Sequence, residues 1–387
     1  MLDKSTILFY TIAMHRIIQE KLKTLLSLPK SPIILILGMR QVGKSTLARS
    51  LVKDGEYFEL NFDLVSDRTL FEDQNRHSLR LFAEQYKNKI IIIDEIQKST
   101  LATSLVKHLY DNYNMKFIMT GSSEIKIRKN LGDSLAGRVH EVKLYPLSLK
   151  EINIQNGLKW DETETFSNYD ENQYLLLRSL VFGSLPNLLN IPANNYVDYL
   201  NDYTNTIFSK DVLEISGNRK NTQVYLLAKL IAQQIGQLVN INELSINTEL
   251  SRDSVYKYLD IFEQMGIILK AKPISTNDRE AISKATKIYF TDLGLRNSLI
   301  NNFEDFDHRT DKGQLLENSV FVGIKRQDDY EGVRSTLGFF RSAFGSEIDI
   351  VRKLGSNEYL YEVKVSDKSN KKNIEMVTLK NAQKFLY

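Results

Sequence analysis

The stretch IILILGMRQVGKSTLARSLV, residues 33–52, constrains the fold more than any other part of the chain. Its first five residues are apolar and read as a fully buried strand, and LARSLV at its end has helical periodicity. Between them Gly38, Met39, Arg40, Gln41, Val42, Gly43, Lys44, Ser45 and Thr46 spell GxxxxGK[ST] in the strand–loop–helix setting the motif requires. Gly38 and Gly43 let the backbone fold around a phosphate with its N–H groups pointing inward. Lys44 is placed to reach the β- and γ-phosphates, and the Ser45 hydroxyl to ligate magnesium. The expected ligands are therefore ATP and Mg²⁺. A chance glycine turn would leave the flanking strand and helix unexplained.

A second apolar strand, IIIID, ends at Asp94 and is followed by Glu95, about fifty residues after Lys44. An aspartate leaving a buried strand can bind Mg²⁺ through water, and Glu95 is the natural general base to orient the attacking water. Acidic pairs at strand ends are also common on surfaces; the spacing from Lys44 favours the catalytic reading. A third strand, in MKFIMTGSS, runs into Ser122 and Ser123, where a polar side chain can sense the γ-phosphate. In SLAGRVHEVKL, Arg138 lies between a helical stretch and a last strand over 139–144. An arginine there can stabilise charge on the γ-phosphate of a neighbouring subunit. A solvated loop arginine is the alternative, and Arg128 is a second candidate.

Together GMRQVGKSTL, IIIIDEIQK, FIMTGSS and LAGRVHEVKLYPLSLKE resemble a prokaryotic family of AAA-type ATPases that carry a C-terminal domain similar to the PD-(D/E)XK nuclease fold. The resemblance covers most of the chain from about residue 14. It implies an α/β P-loop core with a parallel sheet of order 5-1-4-3-2 and ATP at the C-terminal strand ends. It also implies Ser122 as the sensor and Arg138 as the finger. FGSLPNLL, residues 182–189, departs from the pattern by lacking a glycine pair before its proline.

The expected domains are the ATPase core over 14–145, a helical lid over 146–235, a winged helix over 236–292 and a nuclease-like α/β domain over 293–387. In the lid, Leu175, Leu176, Leu180, Tyr196, Tyr199, Leu200 and Tyr203 read as core faces rather than as platforms for bases. Further on, NTELSRDSVYKYLDIFEQMGII reads as two helices and a strand, with Ser251 as an N-cap. ILKAKPI and KATKIYFTD read as wing strands. The second helix carries Arg252 and Lys257 against Asp253, Asp260 and Glu263, so sequence-specific DNA readout is not expected. The wing, with Lys270, Lys272, Arg279, Lys284 and Lys287 against Asp278 and Glu280, suits non-specific phosphate contact.

At the C-terminal end, Glu317 sits in an amphipathic helix, GQLLENSVFVGIKRQ, and EIDIV and YLYEVKV read as a strand pair. Asp349 and Glu362 share a sheet face if the hairpin register allows it, and Lys364, two residues on, joins them. Asp349, Glu362 and Glu317 are candidate ligands of a hard cation, and Lys364 a candidate to offset phosphate charge. An exposed hairpin with ordinary alternating charge is the other explanation. Lys368, Lys371, Lys372, Lys380 and Lys384 against Asp367 and Glu375 add to the basic balance. The chain ends at KNAQKFLY, read as one helix after YEVK where the nuclease fold continues into a further strand.

Bulk properties narrow the rest. Without cysteine, thiol catalysis and cysteine-ligated metal are excluded, and five scattered histidines offer no zinc motif. A net charge of +3 does not by itself imply a nucleic-acid partner. No apolar run reaches the ~18–20 residues that span a bilayer, so no membrane association and a cytoplasmic location are expected. ILFYTIAM resembles a signal core but lacks a cleavage site, and residues 1–13 read as an extension. The expected activity is ATP hydrolysis by a DNA-engaging homo-oligomer with a metal-dependent nuclease domain. The alternative is a nucleotide-driven switch or assembly scaffold with a protein partner and an inactive nuclease-like fold.

Overall fold

The computed structural model describes residues 14–386 except 73–74, 123–126, 128–134, 158–168, 217–220, 275–285, 343–345 and 367–373. Ser123, Arg128, Asp278, Arg279, Glu280, Lys284, Asp367, Lys368, Lys371 and Lys372 lie outside the described residues. So do residues 1–13.

Strands β1 (Ile33–Leu37), β2 (Tyr57–Asn61), β3 (Ile90–Asp94), β4 (Lys116–Gly121) and β5 (Val139–Lys143) form one sheet of order β2-β3-β4-β1-β5. Every pairing is parallel, and the order is the one the resemblance implies. β1 is buried along its whole length, because helices cover both faces of a parallel sheet and leave no wet side for polar residues. Parallel strands all end on one edge. That edge gathers the loop after β1, Asp94 at the end of β3 and Ser122 just past β4.

Helices Tyr169–Phe182, Tyr196–Thr206 and Asn221–Gln233 follow. Leu175, Leu176, Leu180, Tyr196, Leu200 and Tyr203 are buried in one continuous core that also takes in the β1 side of the sheet. Helices Ile241–Thr248 and Arg252–Gln264 then lead into an antiparallel hairpin, β6 (Ile268–Pro273) and β7 (Lys287–Phe290). Ser251 caps the second of these helices, accepting the Ser254 N–H at 3.2 Å.

The hairpin is the edge of a larger sheet. β6 pairs in parallel with β8 (Thr336–Arg341), and β8, β9 (Glu347–Leu354) and β10 (Asn357–Val363) form an antiparallel run. Strands from both sides of residue 292 thus share six-stranded order β11-β10-β9-β8-β6-β7. The tail differs from the helix expected in KNAQKFLY. β11 (Glu375–Val377) pairs in parallel with β10, and only a short 3₁₀ turn, Ala382–Phe385, follows. That turn seats its Phe385 carbonyl against Gly323 of the helix Lys312–Glu331, where a Cβ would stand 1.9 Å from the oxygen.

A buried ion pair ties the chain's beginning to the core. Arg16 meets Glu151 at 3.2 Å with both side chains almost fully buried. The same guanidinium donates to the carbonyl oxygens of Tyr145 and, at 3.4 Å, Val42 within the phosphate loop. Arg16 and Tyr330 also meet at 3.4 Å, so the helix Lys312–Glu331 joins this network.

Candidate active site

The loop after β1 has the geometry of a phosphate cradle. Gly38 and Gly43 have φ of 154° and 93°, and a Cβ on Gly38 would stand 2.3 Å from the Leu144 carbonyl oxygen. Gln41 and Glu95, neither of them glycine, also sit in the left-handed region at φ 62° and 56°. Such conformations cost about 1–3 kcal/mol each and persist where the surroundings over-determine them, commonly at functional sites.

Lys44 is buried, and its ammonium donates to the carbonyl oxygens of Gly38 at 3.1 Å and Met39 at 2.9 Å. Burial pulls its pKa below the ordinary lysine value, with Glu95 and Asp94 acting in the opposite direction. The Ser45 hydroxyl lies 2.9 and 2.8 Å from the two Asp94 carboxylate oxygens. Thr120, on neighbouring β4, donates its hydroxyl to Asp94 and accepts the Glu95 N–H at 3.3 Å.

Glu95 is held by two side chains. The Ser122 hydroxyl donates to Glu95 Oε2 at 2.9 Å. The Gln97 amide donates to the same oxygen and to Ser122 Oγ at 3.0 Å. Sequence reasoning places Glu95 and Ser122 but misses Gln97 and Thr120, although both lie inside the quoted motifs IIIIDEIQK and MKFIMTGSS.

Asp94, Glu95, Gln97 and Ser122 border a cleft of about 290 Å³ whose far wall comes from the helical region and the start of the hairpin. Arg40, Lys98, Lys210, Asp211, Met265 and Ile267 contribute to its lining. The wall is tied to the loop: Arg40 pairs with Asp211 at 2.8 Å, Tyr203 donates to the Arg40 carbonyl at 2.7 Å, and Tyr199 donates to Gln41 Oε1 at 2.6 Å. Asp211 ends a π-helical turn, Ile207–Asp211, a departure from regular helix that recurs at functional sites. The segment that departs from the family pattern also reaches the loop. Pro186 Cγ lies 3.8 Å from where a Gly43 Cβ would stand, and Ser184 N–H donates to Asp292 at 2.8 Å.

Arg138 is far from this edge. It precedes β5, and its carbonyl accepts the N–H of Ile33 at the start of β1. The five residues of β1 therefore separate it from the cradle by roughly 16 Å. Its guanidinium forms a two-point pair with Asp111, at 2.8 and 3.0 Å, on the helix Ala102–Tyr113. That bond raises the Arg138 pKa and lowers that of Asp111.

The C-terminal carboxylates are also brought into one neighbourhood. The register Leu360↔Val351 and Tyr361↔Ile350 carries Asp349 alongside Glu362. Asp349 accepts the Val363 N–H at 2.8 Å, and Lys364 pairs with Glu362 at 3.1 Å. Glu317 faces them from its helix, accepting from Tyr289 at 2.6 Å and Lys287 at 3.1 Å. Burial lifts the Glu317 pKa to about 7, Lys287 opposing that rise and Asp349 adding to it. Among the described residues, no three acidic or histidine side chains are gathered to hold a metal ion.

Two cations expected on an exposed wing are otherwise engaged. Lys287 is only 3% exposed, and Lys270 pairs with Asp260 and, at 3.1 Å, with Glu263 of the preceding helix. Of the wing cations among the described residues, Lys272 is exposed. The reason is ion pairing, of Lys270 with the preceding helix and of Lys287 with Glu317 and Glu347, which composition alone does not reveal.

Residues 30–153 match a family model described as an AAA domain, and residues 173–305 and 312–385 match two domains of unknown function (DUF8612 and DUF4143). Similar curated proteins include two uncharacterized proteins of Methanocaldococcus jannaschii. One is 26% identical over 79% of this chain and 70% of its own length; the other is 24% identical over 94% and 82%. Among solved structures, a Walker-type ATPase of Pyrococcus abyssi is 18% identical with TM-score 0.44, covering 73% of this chain and 94% of its own. The Aeropyrum pernix ORC1 protein, solved in complex with DNA, is 13% identical with TM-score 0.34, covering 74% and 91%. The chain contains an AAA-type P-loop ATPase domain, on the family match over residues 30–153.

Proposed function

We propose that this chain binds and hydrolyses ATP at the cleft beside β1, β3 and β4. The observation that carries the reading is the convergence of Lys44, Ser45, Asp94 and a doubly bonded Glu95 on one sheet edge. The residues present fit a magnesium nucleotide. Gly38 and Gly43, both at positive φ, let the loop turn around a phosphate, and Lys44 already lies among loop carbonyls that a phosphate can replace as its partner. Ser45 and Asp94 would hold Mg²⁺, which supplies charge neutralisation across the phosphate oxygens. Glu95 would orient water, and Ser122 and Gln97 fix the carboxylate that does so. Arg138 acts, in this reading, across an interface between copies of the chain, because its distance rules out a part in its own cleft.

Lys44→Ala should abolish ATP binding, and Glu95→Gln should retain bound ATP without turnover. Hydrolysis at the normal rate by Glu95→Gln would remove Glu95 from the mechanism.

The wider role we infer is a nucleotide-driven switch acting on a protein partner. The neutralised Lys270 and Lys287 favour it over tight DNA engagement. Exposed Lys272, Lys380 and Lys384 support the second reading, non-specific DNA contact. Binding to duplex DNA that falls steeply with salt would select that second reading, since counterion release sets the slope. Among the described residues no helix is long and apolar enough to cross a membrane.

A further inference from the structure

The nuclease-like fold expected from the sequence would call for a divalent metal at Glu317, Asp349 and Glu362, and the side chains around them do not fit one. Lys287, reaching in from β7, is 3% exposed and places its ammonium 3.1 Å from Glu317 Oε1 and 2.7 Å from Glu347 Oε1. It also lies 5.2 Å from the centroid of the Phe339 ring, a face that favours a desolvated cation. Tyr289, two residues on and on the same strand face, donates to the same Glu317 oxygen at 2.6 Å. The Glu362 carboxylate pairs with Lys364, and Asp349 is bonded to the Val363 N–H. A hard cation needs several oxygens turned toward one point. Here ammonium groups already engage Glu317 and Glu362, and Asp349 is turned to a backbone N–H.

We propose that Lys287 is the built-in cation of the C-terminal carboxylate cluster and clamps β7 to the sheet and helix in the role a divalent metal would otherwise fill. The clamp has a second point of attachment next to Glu317. The Asn318 amide takes the place of a neighbouring strand, accepting the Phe290 N–H at 2.7 Å and donating to the Phe290 carbonyl at 2.8 Å. Glu317 and Asn318 of the ENSVF helix therefore both serve β7. The occupant of the cluster is an internal amine, and the hairpin that supplies it belongs to the preceding matched region, residues 173–305.

The test is Mn²⁺ binding to the full chain without nucleotide, by calorimetry and by the paramagnetic resonance signal of free Mn²⁺. All variants share the same phosphate loop, so differences report the C-terminal cluster. Wild type and Asp349→Asn should give superimposable isotherms. Lys287→Met leaves Glu317 and Glu347 converging on a vacated point, and should bind Mn²⁺ at least tenfold more tightly than wild type. Adding Glu317→Gln should remove that gain. A wild-type Mn²⁺ site lost in Asp349→Asn would overturn the proposal, as would a folded Lys287→Met that takes up no more Mn²⁺ than wild type. If Lys287→Met fails to fold, the comparison of wild type with Asp349→Asn still decides.

Discussion

Asp292 is a buried carboxylate with no cation among its hydrogen-bond partners, and its replacement by asparagine should change how stability depends on pH. The group is 2% exposed, at the start of the helix Leu293–Leu299. It accepts the N–H groups of Ser184 at 2.8 Å and Leu295 at 3.0 Å. Burial lifts its pKa from 3.8 to about 6, against the lowering effect of those backbone bonds. A rise of that size corresponds to roughly 3 kcal/mol. Because the folded state holds the proton more tightly than the unfolded one, the associated stability is fully present below pH ~4. It is lost as pH rises through about 6. An asparagine side chain does not titrate, so the stability of Asp292→Asn relative to wild type should climb by about 3 kcal/mol between pH 3 and pH 8. Turning an amide NH₂ toward backbone donors carries its own cost, but that cost is independent of pH, so the slope and not the offset is the test. Urea unfolding of both proteins at half-unit pH steps supplies the difference curve. A flat difference across that range would refute a buried, proton-binding Asp292.

Two further outcomes concern catalysis. Gln97→Ala should lower kcat on the order of 10²-fold with little change in KM, since Gln97 touches Glu95 and Ser122 rather than the loop; steady-state phosphate release measures both constants. Mixing Arg138→Ala with Glu95→Gln chains should restore part of the activity that each lacks alone, because a mixed interface can pair an intact Arg138 with an intact Glu95. Recovery that fails at every mixing ratio would leave Arg138 as a partner of Asp111 and nothing more.

The parts of the site legible in the sequence are those whose chemistry is local. GMRQVGKST places its own glycines, lysine and serine within one turn of chain, and IIIID carries Asp94 to a strand end by its own periodicity. What escapes is non-local. Gln97 and Thr120 matter only because β3 and β4 are neighbours, pairing Ile93 with Met119 and so bringing Asp94 beside Thr120. The pairing of Arg40 with Asp211 joins residues 171 apart in sequence. Lys287 reads as a surface cation because KATKIYFTD reads as a wing strand beside other cations. Its burial follows from β6 pairing with β8, a contact that crosses the domain boundary expected at 292/293. β11 escapes for a related reason: three residues with no turn signal become a strand only when β10 is there to pair with them.

The pairing of β6 with β7 and β8 also makes β7 one of the connections between the phosphate loop and the C-terminal sheet, beside the Arg16 network. Just beyond its end, the Thr291 hydroxyl donates to the Gly266 carbonyl at 2.5 Å and meets Met39 Sδ, in the phosphate loop, at 3.4 Å. Gly266 itself, with φ of 73°, packs where a Cβ would lie 3.5 Å from the Met39 nitrogen. Four residues back along the strand, Lys287 enters the carboxylate cluster. A four-residue strand spans about 13 Å and transmits displacement because both its edges are fixed, by β6 on one side and by Asn318 on the other. Met39, Thr291, Tyr289, Lys287 and Glu317 thus follow one another along a contiguous line of contacts from the phosphate loop to the carboxylate cluster. The Lys287–Glu317 pair stands at the far end of that line, 3.1 Å between its charged atoms.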